Sequence, residues 1–94
     1  MIIPLASVPN QTFSINLDGQ NCKFELVTRG KNLFMNLSID DTPVVNGVIC
    51  LNKVKLIQFN HLKFNGNLYF EDLEGNLDPY FWGLGERWVL NYVQ

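Results

Sequence analysis

Hydrophobic and polar residues alternate regularly near the start of the chain. In residues 12–17 and 22–26 every second side chain is apolar, as expected of strands with one buried face. Asp18-Gly19 separates the two runs and suits the positive φ angles of a type I′ turn. A slip of one residue would turn one apolar set to the wrong face, so the pattern also predicts the register. The predicted pairs are Leu17 with Gln20, Ile15 with Cys22 and Phe13 with Phe24.

The alternation continues along the chain and predicts further strands over residues 33–39, 67–72 and 86–93. Phe34 would point away from the other apolar residues of its strand. Residues 44–51 are apolar, but Gly47 divides them and predicts a bulge. Residues 2–5 predict a short strand, which Pro4 would place at a sheet edge. Gly30 predicts a turn with a positive φ. A short helix or helical turn is predicted within 54–62.

Strands joined by tight turns, with at most one short helix, are typical of an all-β fold. We therefore predict a small antiparallel β-sandwich or barrel of about six to seven strands. The 94 residues, of which 47% are hydrophobic, suit a single β domain over residues 1–94 with its own core.

Composition narrows the classes of function. Charged residues make up 17% of the chain, below the roughly 25% of average soluble domains, which suggests that other proteins cover part of the surface. The net charge of −2 gives no general attraction to nucleic acid. No apolar run approaches the roughly 20 residues of a membrane span, and the N-terminus has no signal-peptide pattern. We expect a protein that folds in the cytoplasm without nucleic-acid or membrane partners.

Residues with chemical potential are few. Cys22 and Cys50 lie in predicted strands and are expected to be buried free thiols, with a disulfide as the open alternative. Two cysteines without further ligands at suitable spacing do not make a zinc site. His61 is the sole histidine, with no nucleophile close to it in sequence. We predict no catalytic, cofactor-binding or metal-binding residue, and no enzyme activity.

The acidic run over residues 72–78 places oxygen-bearing side chains at intervals that resemble a calcium loop. Gly75 stands at the fourth position and Gly83 at the twelfth, whereas an EF-hand needs glycine at the sixth and glutamate at the twelfth. A solvated acidic turn is the favoured interpretation. Basic residues precede this run, and the opposite charges could meet across a subunit contact or belong to solvated turns.

Three consecutive aromatic residues, Tyr80, Phe81 and Trp82, lie in an irregular segment. A single sheet cannot bury all three, because neighbouring side chains point to opposite sides. Either two of them cover the end of the core, or some contact a partner protein. The predicted partner interface comprises Phe34, Tyr80, Phe81, Trp82, Asn91 and Tyr92, with backbone pairing by the Pro4 segment or residues 91–94.

The two ends of the chain resemble the phage baseplate plug family of contractile-tailed phages. Residues 3–20 contain I-P-L and V-P-N-Q-T-F-S-I-N-L-D-G-Q, and residues 83–93 read G-L-G-E-R-W-V-L-N-Y-V, similar to the family's closing G-L-G-x-R-W-x-L-x-Y. Residues 42–48, 61–62 and 65–68 also fit family positions. The chain departs from the family at 79–82, where relatives carry a stretch rich in glycine and aspartate.

This resemblance implies a structural virion protein in the tail baseplate, which joins or seals the hub and spike. Its partners would be the hub, the spike and other tail proteins, with a threefold ring or a trimeric hub as possible arrangements. The family brings no catalytic residue and no cofactor. The alternative from the residues alone is a free small β-barrel module that binds a ligand or single-stranded nucleic acid.

Overall fold

The structure, a computed structural model, describes residues 1–57 and 66–93. These residues form seven strands and one turn of 3-10 helix at Phe81–Gly83. Within them, no helix is long and apolar enough to span a bilayer. The strands are β1 (Ile2–Ile3), β2 (Asn10–Leu17), β3 (Gln20–Arg29), β4 (Asn32–Ile39), β5 (Thr42–Ile49), β6 (Asn67–Asp72) and β7 (Trp88–Val93).

The strands build two antiparallel sheets, one in the order β2-β3-β4-β5 and one in the order β1-β7-β6. Apolar side chains from both sheets meet in one hydrophobic core. The prediction of an all-β antiparallel fold of about six to seven strands is confirmed, since the described residues form two sheets with seven strands in total. The largest fully buried side chains include Trp88, Phe24, Phe70, Ile3 and Met35.

The predicted N-terminal hairpin is confirmed in turn and register. Asp18 and Gly19 have φ angles of 52° and 81°, and Leu17 pairs with Gln20, Ile15 with Cys22 and Phe13 with Phe24. The rings of Phe13 and Phe24 stack with centroids 5.1 Å apart. The register follows from the sequence because the turn and the buried face require the same pairing.

A bulge interrupts the pairing of β4 with β5, as predicted from the position of Gly47. Met35 pairs with Val48 and Leu37 with Val45, so β5 has one residue more than β4 between these pairs. Gly47 takes a φ of 63°, and its backbone N–H donates to the side-chain oxygen of Asn36. Thus a side chain accepts a backbone donor that the interrupted ladder would otherwise leave unpaired.

The predicted helix within 54–62 is wrong in its described part, and residues 58–65 lie outside the described residues. Leu56 is buried, and its N–H donates to the carbonyl oxygen of Leu68 over 2.8 Å. The side chain of Asn67 bonds both the N–H and the carbonyl of Ile57. Residues 54–57 therefore lie along β6, and hydrogen bonds to that strand replace those of a helix.

The C-terminal strand also differs from expectation. The strand β7 lies between β1 and β6, where Asn91 pairs with Ile2 on one side and Tyr69 on the other. The prediction of a free pairing edge at 91–94 is therefore wrong for its described residues, and Gln94 lies outside them. Pro4 does follow an edge strand, but that strand is only Ile2–Ile3.

Two glycines before β7 allow unusually close packing. A Cβ on Gly83 would lie 2.6 Å from the ring of Trp88, closer than nonbonded atoms approach. Gly85 has a φ of 83°, and a Cβ there would lie 2.6 Å from the carbonyl oxygen of Leu5. Both glycines are therefore needed for the chain to pass over Trp88 and beside the N-terminal segment.

We predict that Gly83→Ala destabilises the protein by about 3 kcal/mol, because the added methyl group overpacks against the Trp88 ring. Gly19→Ala is the matched control: its added Cβ meets nothing within 4 Å, although the φ is positive, so we expect a cost of about 1 kcal/mol. Urea denaturation of both variants measures the difference. Equal stability of the two variants would contradict the close packing inferred at Gly83.

Candidate partner-binding surface

An ion pair joins the end of β6 to the residue before β7. The Nε and Nη2 atoms of Arg87 donate to the two carboxylate oxygens of Asp72 over 2.8 and 2.9 Å. The same oxygens accept the backbone N–H groups of Glu74 and Leu77, both at 2.9 Å. The side chain of Asp72 is fully buried, and that of Arg87 is 17% exposed. Asp72 thus fixes the loop that follows it.

Arg87 holds the pKa of the Asp72 carboxyl well below its usual range, chiefly through their hydrogen bonds, with burial opposing and the N–H groups of Leu77 and Glu74 assisting. Asp72 in turn raises the pKa of the Arg87 guanidinium. Both groups are charged at neutral pH and bonded to each other. Among the described residues, no three His, Cys, Asp or Glu side chains are grouped to hold a metal ion.

The Arg87 guanidinium also lies against two indole rings. Its Cζ is 4.7 Å from the ring centroid of Trp88 and 5.9 Å from that of Trp82. The two rings meet edge to face with centroids 4.9 Å apart. Trp88 is buried, and its Nε1–H donates to the carbonyl oxygen of Leu77 over 3.1 Å. These contacts hold Trp82 in a defined position beside β7.

The three consecutive aromatic residues take different environments. Tyr80 and Phe81 are half-buried and pack against the hydrophobic core, and the Tyr80 hydroxyl donates to the Gly30 carbonyl over 3.4 Å. Trp82 is 54% exposed. In this loop, two aromatic rings therefore cover the core while the third faces solvent on a side supported by Trp88 and Arg87.

The other residues of the predicted interface lie elsewhere. Phe34 is half-buried on the outer face of the four-stranded sheet, where it lines a shallow cavity of about 260 Å³ with Val27 and Arg29. Tyr92 is buried, and its hydroxyl donates to the Asp18 carboxylate over 2.7 Å. Asn91 is half-buried within its sheet, and its side-chain Nδ2 is buried with no hydrogen-bond partner among the described residues. Tyr92 therefore stabilises the fold, where the sequence had placed it at an interface.

Two exposed apolar residues near Trp82 were missed by the sequence analysis. Leu73 and Leu77 are 57% and 60% exposed, in the loop held by Asp72. The backbone N–H of Leu73 donates to the Arg87 carbonyl over 2.8 Å. The sequence signal for these residues was their position in a loop rich in glycine, asparagine and aspartate. Outside a strand, no alternating pattern predicts that such leucines are buried. We call Leu73, Leu77 and Trp82 together the loop surface.

The two cysteines are buried and free, as predicted. Burial raises the pKa of the Cys50 thiol to about 12 and also raises that of Cys22. A thiol is a nucleophile only as the thiolate, so neither residue is suited to nucleophilic chemistry at neutral pH. His61, the other residue weighed for chemistry, lies outside the described residues.

The fold and the loop surface define a small two-sheet β protein with exposed apolar side chains on one loop. The sequence model of the family described as the cyanophage Pam3 baseplate plug, gp18, matches residues 1–94. The chain belongs to this baseplate plug family. The resemblance seen in the sequence is thereby confirmed over the whole chain. A comparison with curated proteins gives no match.

Membership of this family indicates a structural protein of the phage tail baseplate, in contact with other baseplate proteins. The segment G-L-G-E-R-W over residues 83–88 coincides with a closely packed part of the structure. It supplies the two glycines, the cation of the ion pair and the buried indole.

The ion pair between Asp72 and Arg87 also predicts how the stability of the protein depends on pH. A carboxyl whose pKa is lower folded than unfolded adds stability above its unfolded pKa of about 3.9, and this stability is lost as the pH falls towards the folded value. We expect wild-type stability to fall more steeply below about pH 5 than that of Asp72→Asn, which is less stable at pH 7. Urea midpoints between pH 2.5 and 7 measure this, with Asp41→Asn, an exposed position, as control. Parallel profiles for wild type and Asp72→Asn would contradict the assignment.

Proposed function

We propose that the chain is a plug that joins or seals the hub and spike of a contractile-tail baseplate through protein–protein contacts. The match of the baseplate plug family to residues 1–94 carries this proposal. The tail is assembled from proteins made in the host cytoplasm, and a trimeric hub would bring copies of the plug together around a threefold axis.

Exposed apolar side chains are the groups that would make these contacts. Trp82 offers a large ring held against Trp88 and Arg87, and tryptophan is enriched among residues that dominate binding energy. Since the ring is already positioned, little conformational entropy is lost when a partner covers it. Phe34 offers a second, shallower apolar site on the four-stranded sheet.

Three other residues of the predicted interface, Tyr80, Phe81 and Tyr92, stabilise the fold. Tyr80 and Phe81 pack the loop on the core, and Tyr92 ties β7 to the β2–β3 turn through Asp18. The buried thiols and the fully bonded Asp72 carboxylate support a structural role rather than catalysis.

We predict that Trp82→Ala reduces the amount of plug in purified phage particles by about tenfold or more, since truncating an interface tryptophan costs about 2 kcal/mol or more. The variant should keep its fold, because more than half of the Trp82 side chain is exposed. Quantitative mass spectrometry of particles complemented with each variant measures the loss, and circular dichroism checks the fold.

Lys23→Ala is the control, since Lys23 is exposed on the four-stranded sheet and belongs to no proposed contact surface. We expect wild-type incorporation for this variant. Absence of the wild-type protein from particles would refute the plug function. Wild-type incorporation of Trp82→Ala would refute the role of Trp82 alone.

A further inference from the structure

Charge is divided unevenly along the chain. Residues 71–87 contain five acidic residues and one arginine, a net charge of −4, whereas the rest of the chain carries six basic and four acidic residues, a net charge of +2. The chain's excess of negative charge therefore comes from this one segment. Its charged residues are Glu71, Asp72, Glu74, Asp78, Glu86 and Arg87.

Arg87, the one basic residue of the segment 71–87, does not neutralise the negative charge on the surface of this segment. Arg87 is bonded to the buried Asp72, so the pair adds no net charge. Glu74, Asp78 and Glu86 remain exposed. They stand within one to four residues of the loop-surface side chains along the chain. The loop surface therefore lies in a segment whose exposed charged residues are all acidic, and we call Glu74, Asp78 and Glu86 its acidic rim.

Short contacts place the three apolar residues of the loop surface around one centre. The backbone of Leu73 bonds the Arg87 carbonyl over 2.8 Å. The carbonyl of Leu77 accepts the Trp88 indole N–H over 3.1 Å, and the Trp82 ring lies edge to face on the same indole. The backbones of Leu73 and Leu77 and the ring of Trp82 thus each contact Arg87 or Trp88, and all three residues are more than half exposed.

We propose that the loop surface docks on a positively charged surface of a neighbouring baseplate protein that carries an apolar pocket. The inference rests on the proposed plug function and adds the chemistry of the partner. Burial of three large apolar side chains supplies the affinity. The acidic rim attracts a basic partner and disfavours acidic ones. The same rim repels nucleic acid and anionic lipid, so the complementary occupant is a basic protein surface.

A second copy of the chain is the competing occupant. Lys53, Val54 and Lys55 are exposed and form a small basic and apolar segment. The segment adjoins the acidic loop within one copy, because the Asn52 N–H donates to the Asp78 carboxylate over 2.9 Å. Self-association of the purified chain distinguishes this occupant from a different protein.

The test neutralises two of the three rim carboxylates without changing the apolar residues. We expect the double variant Glu74→Gln and Glu86→Gln to be released from particles at about half the NaCl concentration that releases wild type, because salt screens surface charges. The matched control, Asp40→Asn with Asp41→Asn, changes the net charge equally at the β4–β5 turn. Asparagine tolerates the positive φ angles of that turn. Its release should match wild type.

Each other outcome gives a definite answer. If wild type is absent from particles, the plug function fails and the docking proposal with it. If wild type is present but the rim variant and control are released alike, the plug function stands and the basic partner is refuted. If the purified wild type self-associates in sedimentation experiments and the rim variant does not, the occupant is a second copy, and the proposal of a different basic protein is overturned.

Discussion

The ion pair between Asp72 and Arg87 organises the part of the molecule that faces outward. It connects the end of β6 to the start of β7. A buried carboxylate is tolerated only when its oxygens are fully bonded. Here Arg87 and two backbone N–H groups supply those bonds. The N–H groups belong to the loop after β6, so pairing the charge also fixes the loop.

The residues before β7 have one physical requirement in common, which is close passage over Trp88. Gly83 leaves room for the indole, and Gly85 turns the chain at positive φ beside Leu5. Arg87 then covers the Trp88 ring while it bonds Asp72. Because each residue depends on the position of the others, a change to one of them disturbs the whole arrangement. Gly83, Gly85 and Arg87 thus act together around the Trp88 ring.

The sequence predicts those features that are determined over short stretches. The β2–β3 register depends on one turn and two alternating runs, so it could be derived from Asp18-Gly19 and its neighbours. The bulge at Gly47 follows from a local break in alternation. In contrast, the central position of β7 depends on β1, 89 residues away along the chain at the Ile2–Asn91 pair. No local pattern contains that information.

The loop surface shows the same limit. Trp82 was suspected because three adjacent aromatic residues cannot share one buried face. Leu73 and Leu77 appeared only in the structure, since their exposure results from hydrogen bonds that Asp72 makes across the loop. Asp72 itself resembled the start of a calcium loop. Its actual partner, Arg87, is 15 residues further along the chain, and no spacing rule links the two.

The hydrogen bonds of Asp72 also explain how a loop can keep apolar side chains exposed. A chain that is 47% hydrophobic must place some apolar residues on its surface, and a flexible loop would bury them by collapsing onto the core. The hydrogen bonds of Asp72 and the stacking on Trp88 oppose that collapse, because moving the loop would leave a buried carboxylate unpaired. The polar bonds of Asp72 thus hold the loop that carries Leu73 and Leu77, while Trp82 is held by its contact with Trp88. A surface held in this way is already in position before any partner arrives.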